Sequence, residues 1–482
     1  METIAIIGGG FCGTMAAVNL ARLASRPIRI VLINCARPVA RGVAYGTSRP
    51  EHLLNVAARN MSAVPDHADH FVDWLRTRVD YSDIPDPQLR EMFVPRRVYG
   101  DYLRSLLFNY LSPIDRHCPA QIELIEDEAI DIEPSPDGPV TVLLKSGEPI
   151  VANRVLLATG NQNPTPFLTN GKPLSHPAYF ADPWQDWHSH LPVENANIIV
   201  LGTGLTMVDV FLTLTNLNWR GKLIAVSRNG KLPQSHFRGI DYPDFLPAEP
   251  EKLGLKKLVK LLEHHCAQLR RLGANPGIVV DRLRPHTQRI WQNFTAQEKR
   301  EFLTKYATRW NVVRHRVAQP VHQLLTEAIT DGNVQIVRGS IEQIAPDAGR
   351  LRVTIHENSG KTSHLEGALV INCTGPCAGL SETDIPLFKN LLKRGLIHTD
   401  ELDMGIDVAP NFAVQDVSGN KSDVMFGIGP LMKGSLWETT AVPELRGQAL
   451  RAAEILVDAA GVSAEQDYRM SVEQEHVLEY CI

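Results

Sequence analysis

The sequence is poor in the features that usually name a chemistry. Its seven cysteines (12, 35, 118, 266, 373, 377 and 481) are odd in number, scattered and without a C-x-x-C. That argues against a disulfide framework, a zinc site and the cysteine pair of a disulfide reductase. Lysine and arginine do not exceed the acids, 49 against 54, for a net charge of −5, so no basic field marks a nucleic-acid binder. No apolar run is long enough to cross a membrane. The first residues carry no basic n-region and no cleavage site, so secretion is not expected and a reducing cytoplasm is. No nucleophile triad, metal-ligand spacing or acid–base carboxylate pair stands out.

What the chain does have is glycine placed at turns. Ile4 to Ile7 reads as a buried strand that breaks into Gly8-Gly9-Gly10, with Gly13 completing G-x-G-x-x-G. A helical pattern follows, with Met15, Val18 and Ala21 on one face, and Ile28 to Ile33 reads as a second strand. That is a β-α-β unit with the dinucleotide fingerprint in its first turn. Gly8 makes the turn, Gly10 admits a pyrophosphate and Gly13 lets the helix approach the strand. The helix N-terminus, from Phe11 and Cys12 onward, offers free N–H groups and a positive dipole end. The acid usual at the end of the second strand is missing; Asn34 stands there, able to hydrogen-bond a ribose hydroxyl without charge.

Two loops next to this unit are candidates to cradle a ring system: Gly42 to Gly46, with Val43, Ala44 and Tyr45, and the stretch from Leu54 and Asn55 to Met61. An amphipathic helix is expected after Asp66 or His67, a loop and a second helix over residues 93–111, and strands from 121 to 158 with a turn at Pro136-Asp137-Gly138. This run, which includes the cofactor candidate Ala129, ends in Ala158-Thr159-Gly160, a strand end of the kind that meets a cofactor in two-dinucleotide flavoproteins. Proline crowds 164–192, a domain boundary, and Trp184 and Trp187 there are expected to pack one domain on the other.

A second fingerprint follows. Ile198 to Leu201 leads into Gly202-Thr203-Gly204, then Leu205, Thr206 and Met207, with Met in place of the third glycine. The next strand ends in Ser227-Arg228, the position that reads the adenosine ribose; an Arg there suits the 2′-phosphate of NADP. Residues 240–330 read as a helical insertion dense in Arg, His and Trp, including Arg282, Arg284, His286, Arg289, Trp291, Trp310, Arg314, His315 and Arg316. An insertion that folds over a flavin would suit an anionic substrate. Cys373-Thr374-Gly375 then repeats the Thr-Gly strand end. In the last part, Gly429-Pro430 and Thr440-Ala441 precede a helix beginning near Pro443, a helix N-terminus suited to the electron-rich edge of a reduced flavin.

Together, GGGFCG, GVAYGTSRPEHLLNVAARNMSAVPDHADHFVDWL, FVPRRVYGDYL, ATGNQNP, LGTGLTMVD, SRNGKLPQSH, LRPHTQRIW, RHR and GPLMKGSLWETTAVPELR resemble a broad family of bacterial FAD/NAD(P)-binding proteins. That family is distantly similar to the flavin-dependent N-hydroxylating monooxygenases. The resemblance spans nearly the whole chain. It implies an α/β protein of two Rossmann-like domains: FAD-binding parts at 1–165 and 377–482, and an NADPH-binding domain at 166–376. By resemblance Gly8, Gly10, Gly13, Asn55, Thr159, Gly429 and Thr440 sit on FAD, and Gly202, Gly204 and Arg228 on NADPH. Asn55, His315 and Arg316 are the candidate catalytic residues.

Three functions fit. The first is an NADPH-dependent monooxygenase in which oxygen adds to reduced FAD and the peroxyflavin oxidises a heteroatom or carbonyl of a small molecule. The second is an NAD(P)H-dependent reductase acting on a small acceptor or partner protein without oxygen insertion. The third is a flavin-binding sensor without turnover. In the first two the cofactor carries the chemistry, which accounts for the missing triads and metal motifs.

Overall fold

The computed structural model describes residues 1–457 apart from 36, 112–117, 136–137, 170, 193–194, 239–241 and 378. The turn expected at Pro136-Asp137 and the last cysteine, Cys481, lie outside the described residues.

The chain opens as expected, with β1 (Glu2–Ile7), α1 (Phe11–Leu23) and β2 (Ile28–Asn34). β1 and β2 pair in parallel, Ile4 beside Ile30 and Ile6 beside Leu32. One amphipathic helix spans His70–Arg76, starting after Asp69 rather than at Asp66 or His67. The Val64–His67 turn takes those earlier residues, with the Ser62 hydroxyl donating to the carbonyls of Val64 and His67. Next come α2 (Arg96–Leu111) and β3 (Ala120–Glu126). A three-stranded antiparallel sheet of β4 (Ala129–Glu133), β5 (Val140–Leu144) and β6 (Pro149–Ala152) leads to β7 (Arg154–Leu157).

The second unit starts with β8 (Asn197–Leu201), α3 (Leu205–Asn216) and β9 (Lys222–Ser227). The helical insertion follows: α4 (Gly254–Arg271), α5 (Gly277–Leu283), α6 (Thr287–Asn293), α7 (Ala296–Lys305), α8 (Ala307–Arg314) and α9 (Gln319–Thr330). Then come β10 (Val334–Asp347), β11 (Arg350–Glu357), β12 (Thr362–Gly367) and β13 (Leu369–Asn372). The chain returns with β14 (Ala413–Gln415), β15 (Lys421–Gly427) and α10 (Val442–Val457).

Two sheets result. One runs β14-β15-β7-β1-β2-β3, so the return segment adds its strands to the first sheet, β15 lying parallel to β7. The other runs from the two-residue strand Tyr179–Phe180 through β13-β8-β9-β10-β11-β12. In both, the central strands are parallel and apolar on both faces, as a covered sheet requires.

Helix α1 shows why simple amphipathicity understates this fold. Every residue from Phe11 to Ala21 is buried, because α1 lies between its sheet and the helices α10 and α2. Met15, Val18 and Leu20 are at most 1 % exposed, and each such burial contributes about 1.5–3 kcal/mol. Trp187 and Trp184 behave differently from each other. Trp187 packs inside the core of the second unit, whereas Trp184 lies edge-on to His52 of the first at 6.3 Å.

Candidate functional site

The two fingerprint turns are built alike. Gly8 has φ 111° and Gly202 φ 112°, values that L side chains avoid. A Cβ at Gly8 would run into the Ala158 carbonyl, and one at Gly202 into the Cys373 carbonyl. So each first glycine is pinned against the strand end that leads to its own Thr-Gly. The backbone repeats the arrangement. Gly8 N–H donates to Ile33 O at 2.9 Å and Ala158 N–H to Ile7 O at 2.9 Å; Gly202 N–H donates to Val226 O at 2.7 Å and Cys373 N–H to Leu201 O at 2.8 Å.

The helices behind these turns begin without a side-chain cap. Gly10 precedes α1 and Gly204 precedes α3, both in extended conformation. Among the described residues no side chain caps their first N–H groups, which can meet an anion. A Cβ built at Gly160, Gly204 or Gly375 meets nothing within 4 Å, so both turns face open space. These residues fit a bound dinucleotide: free donors, a positive helix end and room for a phosphate.

The third positions differ. A Cβ at Gly13 would strike the Gly8 carbonyl. Met207, its counterpart, is fully buried among Val200, Phe211 and Ala225 in the second core.

Around the first turn, the sequence-predicted residues gather. Asn34 faces inward rather than out: its Oδ1 accepts from Gly9 N–H at 3.2 Å and its Nδ2 donates to Arg37 O at 2.6 Å. Its side chain thus shapes the glycine turn. Gly42 sits against Gly10, where its own Cβ would come within 3.1 Å of the Gly10 Cα. The Gly42–Tyr45 stretch is a short helical turn rather than an open loop. Val43 and Ala44 face solvent, and Tyr45 packs on Tyr99 with ring centroids 4.6 Å apart. Burial raises the pKa of the Tyr45 phenol and pushes the Cys12 thiol up to about 12, so Cys12 is an inert small residue of the turn. Phe11, Leu54 and Met61 belong to the first core and Ala129 to the apolar cluster on the other side of the sheet. Thr159 and Gly160 are half-buried at the end of β7.

Gly429 closes over the same turn. It has φ 76°, and a Cβ there would lie 2.8 Å from the Cys12 sulfur. Gly429 N–H donates to Gln448 Oε1 at 3.0 Å, and its carbonyl accepts from the Thr439 hydroxyl at 2.8 Å. Pro430 and Ala441 are half-buried and Thr440 is exposed, just ahead of α10.

Around the second turn, the Thr203 hydroxyl pairs with the Ser227 hydroxyl at 2.9 Å and donates to Lys231 O at 2.6 Å. Leu205 and Thr206, at the start of α3, are half-buried. Arg228 is exposed at the end of β9 and has no ion-pair or hydrogen-bond partner among the described residues.

The candidate catalytic residues separate. The carbonyl of Asn55 accepts from His236 Nε2 at 2.7 Å, and its Oδ1 lies 3.5 Å from Arg96. Burial pushes the His236 imidazole down, the Asn55 carbonyl partly opposing it. The backbone at His236 pairs with Val317, bringing residues 315–317 alongside. The Arg316 side chain is nevertheless engaged elsewhere. It forms a two-armed pair with Asp281 at 2.9 and 3.1 Å, donates to Gly277 O and lies over Phe237. Buried and engaged through both terminal nitrogens, it ties elements of the insertion to one another, unlike a guanidinium left free for substrate.

His315 faces a different group of charges, where the insertion meets the return segment. Trp310 Nε1 donates to Glu438 Oε1 at 2.8 Å. Arg314 lies 3.4 Å from Glu438 and 3.6 Å from Glu444, and Arg284 bonds Glu444 at 2.9 Å. Burial and the neighbouring Arg314 push His315 down to about 4, Glu438 pulling the other way. Burial pushes the Glu444 carboxyl up, and the guanidiniums of Arg284 and Arg314 more than reverse it, leaving it below its ordinary value. Burial also lowers the Lys433 ammonium. Next to them Trp437 has φ 61°, held by stacking on Trp291 at 5.0 Å. The arginines of this cluster stand out in the sequence; Glu438, Glu444 and Lys433 do not, because nothing in their local pattern separates them from surface charges.

A family model described as FAD-NAD(P)-binding matches residues 5–162. No curated protein matches the sequence. The fold is similar to that of the ornithine N-hydroxylase of Kutzneria sp. 744, in a structure with reduced FAD, NADP+ and L-ornithine. There the TM-score is 0.65 at 14 % identity, over 95 % of this chain and 99 % of that one. It is also similar to the L-lysine 6-monooxygenase of Pseudomonas syringae, with a TM-score of 0.63 at 17 % identity over 96 % of this chain and all of the other. The bacillithiol disulfide reductase of Staphylococcus aureus gives 0.55 at 12 % identity, over 96 % of this chain and 100 % of that one. Residues 5–162 thus match an FAD-NAD(P)-binding family model, and the chain shares the α/β fold of these proteins.

Proposed function

We propose that this chain is an FAD-dependent, NADPH-consuming oxidoreductase, and that it is a monooxygenase oxidising a heteroatom or carbonyl of a small molecule. The observation that carries the reading is the doubled cradle: two glycine turns, each pinned to its own Thr-Gly strand end and each opening on an uncapped helix. One dinucleotide in each is the arrangement a hydride donor and a flavin require. The likeness to ornithine and lysine hydroxylases favours oxygen insertion.

When bound, FAD supplies the redox chemistry and NADPH the hydride. The chain supplies binding, orientation and a dry setting. Gly8, Gly10 and Gly13 with the α1 N-terminus hold the FAD pyrophosphate, and Gly429 closes that turn from the other side. Gly202 and Gly204 with the α3 N-terminus hold the NADPH pyrophosphate. Arg228 offers its guanidinium to the 2′-phosphate. Asn55, fixed by His236 and Arg96, presents a side-chain amide near the junction of the two cradles. His315, neutral at neutral pH, can accept a proton among Glu438 and Lys433. All six described cysteines are free, which suits a cytoplasmic setting. No described helix is long and apolar enough to cross a membrane.

The test is the fate of oxygen. Purified holoenzyme is mixed with NADPH, oxygen and panels of amines, thioethers and ketones, and hydrogen peroxide and oxygenated product are counted per NADPH. A substrate that lowers peroxide and yields product in step supports the reading. The second reading, a reductase, is favoured by the likeness to the bacillithiol disulfide reductase. It predicts NADPH consumption that continues without oxygen when an acceptor is present.

A further inference from the structure

Helix α3 does more than start at the second glycine turn. Four residues beyond Leu205 it carries Asp209, and four further on Thr213, on one face. Both are buried, at 5 % and 1 % exposure, in a helix whose other buried residues are all apolar. Their partners come from the first unit. Arg96 NH1 donates to Asp209 Oδ2 at 2.8 Å, with both side chains nearly buried. The same guanidinium donates through Nε to Leu53 O at 2.9 Å and reaches Asn55 Oδ1 at 3.5 Å. His52 Nε2 lies 3.1 Å from Asp209 O and 2.9 Å from Thr213 Oγ1. A carbonyl only accepts, so His52 carries its proton on Nε2, and its Nδ1 accepts from the Thr47 hydroxyl at 2.9 Å. Residues 52–55 are therefore clasped onto α3 one turn behind the free N–H groups at its start. A cleft lined by Leu54, Asn55, Leu205, Val208 and Val317 lies beside the clasp.

We infer that Arg96 and Asp209, seconded by His52 and Thr213, are positioning residues that set the angle between the nicotinamide cradle and the Asn55 loop. The inference rests on the functional reading above and adds a consequence: hydride transfer should depend on the clasp far more than nucleotide binding does. The pyrophosphate is held by the start of α3 itself, whichever way the helix points. Transfer between two bound rings instead depends on their separation and alignment, where an error of about 1 Å costs up to about 100-fold.

The experiment compares wild type, Asp209→Asn and the double variant Arg96→Leu with Asp209→Leu. Anaerobic flavin reduction at saturating NADPH, NADP+ affinity by equilibrium dialysis, Tm and the small-angle scattering curve are recorded for each. Asp209→Asn leaves Arg96 buried without its charge partner and should lower Tm; the apolar pair should restore it. The clasp predicts that reduction is slowed about tenfold or more in both, while NADP+ affinity stays within about threefold. A double variant whose reduction rate returns together with Tm would reduce the pair to a structural role and overturn the inference. If wild-type flavin is not reduced by NADPH, the functional reading fails on its own. The clasp is then judged by scattering: a changed curve for Asp209→Asn supports it, and superimposable curves overturn it.

Discussion

Glu444→Gln tests the charged seam that fastens the helical insertion to the return segment. The carboxylate sits 2.9 Å from Arg284 and 3.6 Å from Arg314, with its side chain 6 % exposed. At an effective dielectric of about 20 each pairing is worth roughly 5 kcal/mol of gross attraction, most of it offset by desolvation. Removing one partner of a buried pair costs about 3–5 kcal/mol, because the remaining charge is stranded. Arg314 retains Glu438 at 3.4 Å, so the lower end applies, about 3 kcal/mol. The loss falls on the docking of the insertion, not on the two sheets, so it raises local opening by roughly 100-fold without a matching change in global stability. Hydrogen exchange followed by mass spectrometry reads this directly. The amides of α8 should exchange roughly 100-fold faster while those of α1 hold. Unchanged exchange in α8, or equal acceleration in α1 and α8, would mean that Glu444 does not fasten the insertion.

Acid should loosen the same seam. His315 is pushed from 6.5 down to about 4, so the unfolded chain takes up the proton first and stability falls as pH drops from 6.5 toward 4; below 4.5 the lowered Glu444 carboxyl adds a loss of the same sign. Exchange in α8 that is flat from pH 7 to 4, after correction for intrinsic rates, would contradict this. Arg228→Ala should raise KM for NADPH by about 5- to 30-fold, an exposed charge-assisted bond of about 1–2 kcal/mol, and leave KM for NADH alone; equal changes would end the 2′-phosphate assignment. Gly204→Ala should keep Tm, since a Cβ there meets nothing within 4 Å, yet weaken NADPH binding by about tenfold by filling the phosphate's space. Gly13→Ala, whose Cβ strikes the Gly8 carbonyl, should cost about 1–3 kcal/mol and lower the flavin-to-protein ratio; full flavin content would count against the tight helix–strand approach.

The sequence made the two cradles legible because glycines at fixed spacing have a geometric cause. Gly8 and Gly202 are needed where their Cβ atoms would meet the carbonyls of Ala158 and Cys373. Both Thr-Gly strand ends could be placed for the same reason. Local pattern also revealed the helical insertion. What it could not show was which charged residues turn inward. Arg316 looks like Arg314 in sequence, yet one pairs with Asp281 inside the insertion and the other faces Glu438. Asn34 stands where a ribose contact is expected, and local pattern does not show that its amide bonds Gly9 and Arg37 within the turn. Asp209 was the missed signal: an acid in the apolar run LTMVDVFLTL has to find a partner, and a buried carboxylate with no local cation implies one from elsewhere in the chain.

In the proposed function one cradle holds FAD and the other a nicotinamide nucleotide that reduces it. Anaerobic stopped-flow mixing of the FAD-loaded protein with NADPH and, separately, NADH tests it most directly. The flavin absorbance should bleach with NADPH at low concentration and with NADH only at much higher concentration. Flavin that stays oxidised with both nucleotides would contradict it.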